Sequence, residues 1–315
     1  MKVLVVTNLY PTPERPFMSP FVKEQVEAMR ECCPDLTIDV RVIEGDRPRW
    51  AYLRETVLLP AVVKKGGYDI VHAHFGLTLV STLLVSSPVV ITFHGTDLLM
   101  NPTKHVSRLL APTAAKVIVV SQKLRDALGY GDVIPCGIQS REFKLPVSYE
   151  NKPSPRVPGR IKVLFPSDPA RKVKNYGLFQ EVCRELERRG YKVEEVHLVN
   201  VEREKVPEVY WNSDIMLLTS FSEGSPTVIK EAIAAKLPFV SVDVGDVKEW
   251  EKLIFYGVVA ADRNPKTIAD EVVSLLSRIK NRSSLDNSKC LDAIDLTSIA
   301  GRIRRMYGEV LEQQP

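Results

Sequence analysis

Residues 214 to 235 restrict the fold of this chain more than any other stretch. Asp214-Ile215-Met216-Leu217-Leu218-Thr219 is a short apolar run with no alternation, the pattern of a strand buried on both faces. Phe221-Ser222-Glu223-Gly224 turns the chain. Residues 226 to 235 then read as a small, apolar helix, with Ser225 placed as its N-cap and Pro226 as its first helical residue. A buried strand that enters a packed helix through a tight turn is a unit of a parallel α/β sheet. The free N–H groups of such a helix start, together with its dipole, favour an anion such as a diphosphate. Glu223 precedes this helix start and Glu231 lies one turn in. Their carboxylates could accept hydrogen bonds from sugar or ribose hydroxyls. The spacing equally fits a capping acid and a solvated helix acid.

The same unit recurs along the chain. Lys2-Val3-Leu4-Val5-Val6-Thr7 is a buried strand, followed by a Pro-rich loop, a helix beginning at Phe21, and a strand over residues 38 to 43. Further strands are Asp69-Ile70-Val71-His72, Pro88-Val89-Val90-Ile91-Thr92-Phe93 and Val117-Ile118-Val119-Val120. Residues 144 to 160 break the pattern with prolines and polar residues, as a linker does. Ile161-Lys162-Val163-Leu164-Phe165 restarts it, and helices over 266–280 and 296–312 close the chain. The 315 residues suffice for two domains. The expected organisation is an N-terminal Rossmann-like domain over 1–150 and a C-terminal one over 158–315, the last helix packing back on the first.

Composition excludes several classes. A net charge of +4 is too weak to argue for nucleic acid. No apolar run reaches the roughly 18 residues of a membrane span, and the N-terminal strand lacks the features of a signal peptide. Cys32, Cys33, Cys136, Cys183 and Cys290 are odd in number and include no CxxC, which points to a reducing cytoplasm without structural zinc. There is no P-loop, and no G-x-G-x-x-G lies in the first loop, so a standard dinucleotide fingerprint is absent. Cys136 reads as structural.

Several residues fall at the carboxyl ends of strands, where open α/β sheets bind ligands. His94 stands there, followed by Gly95 and Asp97. His72 and His74 do as well, but read more simply as structural histidines. Arg171, Lys172 and Lys174 lie in a strand-to-helix loop that could hold phosphate or be a solvated surface loop. Residues 47–65 mix Arg47, Arg49, Arg54, Lys64 and Lys65 with Trp50, Tyr52, Leu53, Val57, Leu58 and Leu59. A basic helix of this kind can lie on an anionic membrane or simply pack on the sheet.

Taken in order, these pieces resemble glycosyltransferase family 4, retaining enzymes of the GT-B fold. The segments that carry the resemblance are Val5-Val6-Thr7-Asn8-Leu9-Tyr10-Pro11, His72-Ala73-His74-Phe75-Gly76, Phe93-His94-Gly95-Thr96-Asp97, Val133-Ile134-Pro135-Cys136-Gly137-Ile138, the Lys174 loop and Glu223-x7-Glu231. The second half resembles the teichuronic-acid-type branch that builds surface polysaccharides. The resemblance implies an α/β GT-B architecture, two Rossmann-like domains with parallel sheets facing a central cleft. It implies that Glu223 contacts donor-sugar hydroxyls, and that backbone N–H groups of Gly224, Ser225, Thr227 and Val228 hold sugar and β-phosphate. Glu231 would take the ribose, Lys174 would face the diphosphate, Asn200 and Val201 would lie near the base, and His94 would lie beside the reacting sugar. Two departures stand out. Pro16-Phe17-Met18-Ser19-Pro20 replaces the family's Gly-rich first loop, and Ser167-Asp168 replaces its Gly-Arg, leaving Arg171 as the substitute cation. The expected function is transfer of a sugar from a nucleotide diphosphate sugar to a glycan or lipid-linked acceptor. It needs no cofactor or metal and takes place in the cytoplasm, peripheral to the inner face of the membrane. The alternatives are a nucleotide-sugar epimerase or a non-catalytic GT-B scaffold, the latter favoured by the missing glycines.

Overall fold

The computed structural model describes residues 1–12, 19–43, 50–99, 103–151 and 159–313. Pro16, Phe17 and Met18, Arg47 and Arg49, and the linker residues 152–158 lie outside the described residues. The chain divides into two compact units: Met1–Gly137 with Asp295–Pro315, and Ile138–Ile294.

The first unit runs β1 (Lys2–Thr7), α1 (Pro20–Cys32), β2 (Thr37–Val42), α2 (Trp50–Gly66), β3 (Ile70–His74), α3 (Thr78–Thr82), β4 (Val89–Phe93), α4 (Thr96–Leu99), α5 (Lys104–Leu110), β5 (Lys116–Val119), α6 (Gln122–Leu128) and β6 (Asp132–Val133). Its strands form one parallel sheet in the order β2-β1-β3-β4-β5-β6. Successive strand residues feed opposite faces. Leu4, Val6, Val71, Ala73, Ile91 and Phe93 pack with Tyr52, Leu59 and Val63 of α2. Val3, Val5, Ile70, Val90 and Ile118 pack with Val26 and Met29 of α1 on the other.

The second unit runs α7 (Val147–Glu150), β7 (Gly159–Phe165), α8 (Tyr176–Arg188), β8 (Tyr191–His197), α9 (Val206–Asn212), β9 (Ile215–Leu218), α10 (Thr227–Ala234), β10 (Phe239–Ser241), α11 (Val247–Glu251), β11 (Gly257–Val259), α12 (Pro265–Arg278) and α13 (Ser288–Ile294). The sheet order is β11-β10-β9-β7-β8, again parallel. Read from its first strand, this is the same winding as in the first unit, reversing direction between β7 and β9 as the first sheet does between β1 and β3. Ligands of doubly wound sheets bind outside the carboxyl ends of the strands at that reversal.

The last helix, α14 (Leu296–Glu312), belongs to the first unit. Ile299, Ile303, Met306, Tyr307 and Val310 recur at helical spacing and bury against β1, β3 and α1.

The expected boundary at 150 to 158 is displaced to Gly137–Ile138. Residues 138–150 join the second unit because Ile138 and Phe143 enter its core and Trp211 Nε1 donates to the Phe143 carbonyl at 3.1 Å. A proline-rich sequence marks where backbone pairing stops, whereas the boundary falls where side chains change core.

Candidate functional site

The turn after β9 and the loop after β7 flank the reversal point of the second sheet, and backbone bonds stitch them together. Phe221 N–H donates to the Val173 carbonyl at 2.9 Å, and Thr219 Oγ1 donates to the carbonyls of Lys174 and Asn175 at 3.1 Å each. Asn175 adopts a left-handed conformation (φ 54°), ending the short turn Lys172–Lys174 just before α8. This geometry sets Lys174 Nζ 2.6 Å from Glu223 Oε1, with both side chains largely covered. A lysine ammonium has three donors, so this bond leaves two for another anion.

α10 begins at Thr227, one residue later than expected, and Pro226 occupies the N-cap position without a side-chain cap. Ser225 does not cap the helix. Its Oγ donates to Asp246 Oδ2 at 2.6 Å and accepts from Lys230 Nζ at 2.6 Å, and Lys230 also reaches Asp246 Oδ2 at 3.0 Å. Lys230 is 0% exposed and lies against the Trp250 ring. An ion pair so deep needs every hydrogen bond it can make, and the serine hydroxyl supplies one. The backbone around Ser225 is thereby pinned, while the first N–H groups of α10 have no intrahelical acceptor. Gly245 (φ 56°) lies against the same turn. A Cβ there would come 2.8 Å from the Gly224 carbonyl oxygen. Arg263 holds the turn from the other side, donating to the carbonyls of Ser220 at 3.0 Å and Phe221 at 3.3 Å.

Glu231 is 3% exposed. Its Oε1 accepts from Arg203 Nη1 and its Oε2 from the Tyr210 hydroxyl, each at 2.7 Å. Burial first, and then the adjacent carboxylate, pushes the Tyr210 hydroxyl well above its ordinary pKa, so it stays a donor. Phe143 braces both partners, edge-on to Tyr210 and under the Arg203 guanidinium. A ribose would therefore meet Glu231 by sharing or replacing the Arg203 contact. Arg203, Tyr210, Lys230, Asp246 and Arg263 escaped the sequence reading, because nothing local marks their partners. The conspicuous signal was Lys230 itself, the one cation of a short helix whose other charge is Glu231.

Of the remaining expected residues, Asn200 and Arg171 are exposed and Val201 packs against the core. Asn200 is exposed beyond β8 in a left-handed conformation (φ 53°), with half-buried Val201 next to it. Arg171 is exposed, and its carbonyl accepts from Lys174 N–H at 2.9 Å.

In the first unit, His74 ends β3 and His94 follows β4. Asp97 Oδ1 accepts from Gly95 N–H at 2.8 Å, and the carboxylate also reaches the N–H groups of His94 and Gly76 at 3.2 Å each. That fixes the backbone at His94. His74 Nδ1 lies 3.0 Å from His94 Nε2, and His94 Nδ1 lies 3.8 Å from Cys136 Sγ. Phe21 and Phe75 pack on the His94 ring. Phe75 itself holds a left-handed conformation (φ 69°), an unusual strain for a bulky residue, of the kind concentrated at functional sites. His72 bonds Tyr307 of α14 at 2.6 Å and Thr92 at 2.8 Å, and stacks on His74. Burial holds the His72 and His94 imidazoles well below their ordinary pKa and that of His74 down to about 3, so all three are neutral. His72 and His74 are held by hydrogen bonds inside the unit, as structural histidines are. Their partners are side chains, Thr92 on β4, His94 just beyond it and Tyr307 on α14.

Comparison with known proteins finds relatives of the same two-sheet architecture. The group described as Glycosyltransferase Family 4 matches residues 3–141, and that described as Glycosyl transferases group 1 matches residues 170–289. TuaC of Bacillus subtilis (strain 168), named a teichuronic acid biosynthesis glycosyltransferase, is 25% identical over 78% of this chain and 82% of its own. The fold is shared with sucrose-phosphate synthase from Thermosynechococcus elongatus (TM-score 0.75, 15% identity, all of both chains). It is shared also with Anabaena HepE in complex with UDP (TM-score 0.70, 14% identity, 98% of this chain and 100% of that one). With one family segment matched on each parallel sheet and a relative that matches along both, this chain is similar to glycosyltransferases of family 4 and of group 1 and has the GT-B fold.

Proposed function

We propose that this protein is a retaining glycosyltransferase that moves a hexosyl-type sugar from a nucleoside diphosphate sugar to a glycan or lipid-linked acceptor in surface polysaccharide or glycoconjugate synthesis. The observation that carries the reading is the Lys174–Glu223 pair at 2.6 Å, set at the reversal point of the second sheet beside the start of α10. Transfer breaks the anomeric C–O bond through an oxocarbenium-like state, and negative charge grows on the departing diphosphate. Lys174, with Arg171 and the N–H groups of Gly224, Ser225, Thr227 and Val228, meets that charge without a metal. Glu223 aligns sugar hydroxyls. Glu231 and Arg203 share the ribose, and Asn200 and Val201 lie toward the base. His94 lies beside the reacting sugar. The acceptor attacks from the face the leaving group departs, with a donor phosphate oxygen taking its proton. The UDP of the HepE complex makes a uridine donor the first to try.

The test is a thermal-shift panel of UDP-, GDP- and ADP-sugars, followed by product analysis. One diphosphate should raise the melting temperature, because a ligand that binds the folded state stabilises it by about 2.7 kcal/mol at 100 Kd. No shift with any of them would sink the reading. Free epimerised sugar formed without acceptor would favour an epimerase. Lys174→Ala should lower kcat by about 10²-fold, the usual effect of removing one stabilising donor, measured as diphosphate release.

A second reading concerns the membrane. α2 buries Tyr52, Leu59 and Val63 yet leaves Trp50 51%, Leu53 62% and Val57 73% exposed, with Arg54, Lys64 and Lys65 along the same helix. An apolar stripe with basic neighbours suits an anionic bilayer, which would place the enzyme at the inner face of the cytoplasmic membrane. No helix among the described residues is long and apolar enough to cross a membrane. Binding to vesicles should need anionic lipid, weaken with salt, and fail in a Leu53→Ser/Val57→Ser variant. Salt-independent binding, or none by the unaltered protein, would remove the idea.

A further inference from the structure

Two neutral imidazoles joined at 3.0 Å cannot both donate, and the surroundings decide which one does. His74 ends β3 and His94 follows the neighbouring parallel strand β4, in register His74 to Thr92. Their rings lie 15° from parallel with centroids 5.2 Å apart, meeting through His74 Nδ1 and His94 Nε2. His74 is fully buried, and its Nε2 has no hydrogen-bond partner among the described residues. If His74 accepted at Nδ1, its proton would sit on Nε2 as an N–H stranded in the interior. If it donates at Nδ1, Nε2 carries a bare lone pair instead. By analogy with buried backbone groups, where an orphaned N–H is rarer than an under-satisfied acceptor, the bare lone pair is the lesser cost. His74 is then the Nδ1–H tautomer. His94 accepts at Nε2, and its own proton lies on Nδ1, toward Cys136 Sγ at 3.8 Å, a weak acceptor.

We propose that His74 is a positioning residue for His94, locking it as the Nδ1–H tautomer, so that His94 acts as a hydrogen-bond donor and not as a general base. The lone pair of His94 is occupied by His74. Its Nδ1–H can turn from sulfur to a sugar or phosphate oxygen, and no proton leaves the acceptor hydroxyl through it. The consequence for catalysis rests on the proposed function, which places His94 beside the donor sugar. The tautomer does not. Other groups facing the pair are His72, stacked on His74, Tyr307 behind it, and the Asp97 carboxylate. Asp97 spends its oxygens on backbone N–H groups. Burial pushes its pKa up and those backbone bonds pull it down.

The test is long-range proton–nitrogen NMR of the whole protein carrying nitrogen-15 histidine, from pH 5 to 8. His94→Gln and His74→Asn serve for assignment. Both histidines should show one protonated Nδ1 and one bare Nε2 at every pH. His74→Phe, which removes the donor, should leave His94 a mixture of tautomers and lower kcat about 10²-fold with KM unchanged. His74→Asn, whose amide N–H reaches the place of Nδ1, should restore both. A proton on Nε2 of His94, titration of His94 in the unaltered protein, or His94 signals indifferent to His74→Phe would overturn the proposal. If the Phe variant does not fold, the tautomer and titration of the unaltered protein still decide. A protein that binds no nucleoside diphosphate but shows this pattern would lose the proposed function and keep this inference.

Discussion

At the scale of single residues, the site is held by buried polar pairs whose partners lie far along the chain. Lys230 is the sharpest case. Lys230→Met would leave the Asp246 carboxylate buried without its cation, a loss of about 3–5 kcal/mol. A urea titration should show the lowered midpoint, and adding Asp246→Leu should recover most of it. Equal instability of single and double variants would contradict the pairing. The histidines make a pH prediction. His72 and His74 have folded pKa values below the unfolded value of about 6.5, so the unfolded chain binds more protons between the two. Their contribution is fully present above about pH 6.5 and is lost as pH falls toward about 3, the folded value of His74. Over the upper part of that window these two should contribute a stability slope of about 2.7 kcal/mol per pH unit, to which His94, lowered in the same way, adds. Denaturant titrations at pH 7, 6 and 5 would measure it, and a flat profile would mean that these imidazoles are not buried neutral.

At the scale of elements, one turn is fixed by three residues of two neighbouring loops. Arg263 from beyond β11, Gly245 from beyond β10 and Asp246 through Ser225 all bear on residues 220–226. Each comes from the carboxyl end of a strand in the same sheet, so the parallel order itself gathers them. Gly245→Ala adds a methyl where φ is 56° and the Gly224 oxygen is too close. It should cost more than about 1 kcal/mol. It should also weaken nucleoside diphosphate binding, because the turn must move. Unchanged affinity by calorimetry would show that the turn's position is immaterial. This clamp could not be read from residues 243–246, which look like an ordinary Gly-containing loop. The helix start beside it was legible, although its cap was misplaced because Ser225 bonds Asp246 and leaves the N-cap position to Pro226.

At the scale of the molecule, the returning helix α14 decides what counts as a unit. It covers one face of the first sheet, burying Ile299, Ile303, Tyr307 and Val310 against Val3, Val5 and Ile70. A chain ending at Ile294 should therefore lose the unfolding transition of the first unit and keep that of the second in calorimetry. Two surviving transitions would refute this. Two parallel sheets were determined by the sequence alone, because strands buried on both faces leave unbroken apolar runs. So were the places of Lys174, Glu223 and His94, because a loop must follow each strand at its carboxyl end. Tertiary structure alone decided which groups these residues meet. Glu231 finds Arg203 and Tyr210 at 28 and 21 residues' distance, His74 finds His94 at 20, and His72 finds Tyr307 at 235. Contacts at such separations have no periodicity to reveal them. They exist because packing a sheet brings the ends of its strands into one layer, and buried polar groups in that layer must then bond one another.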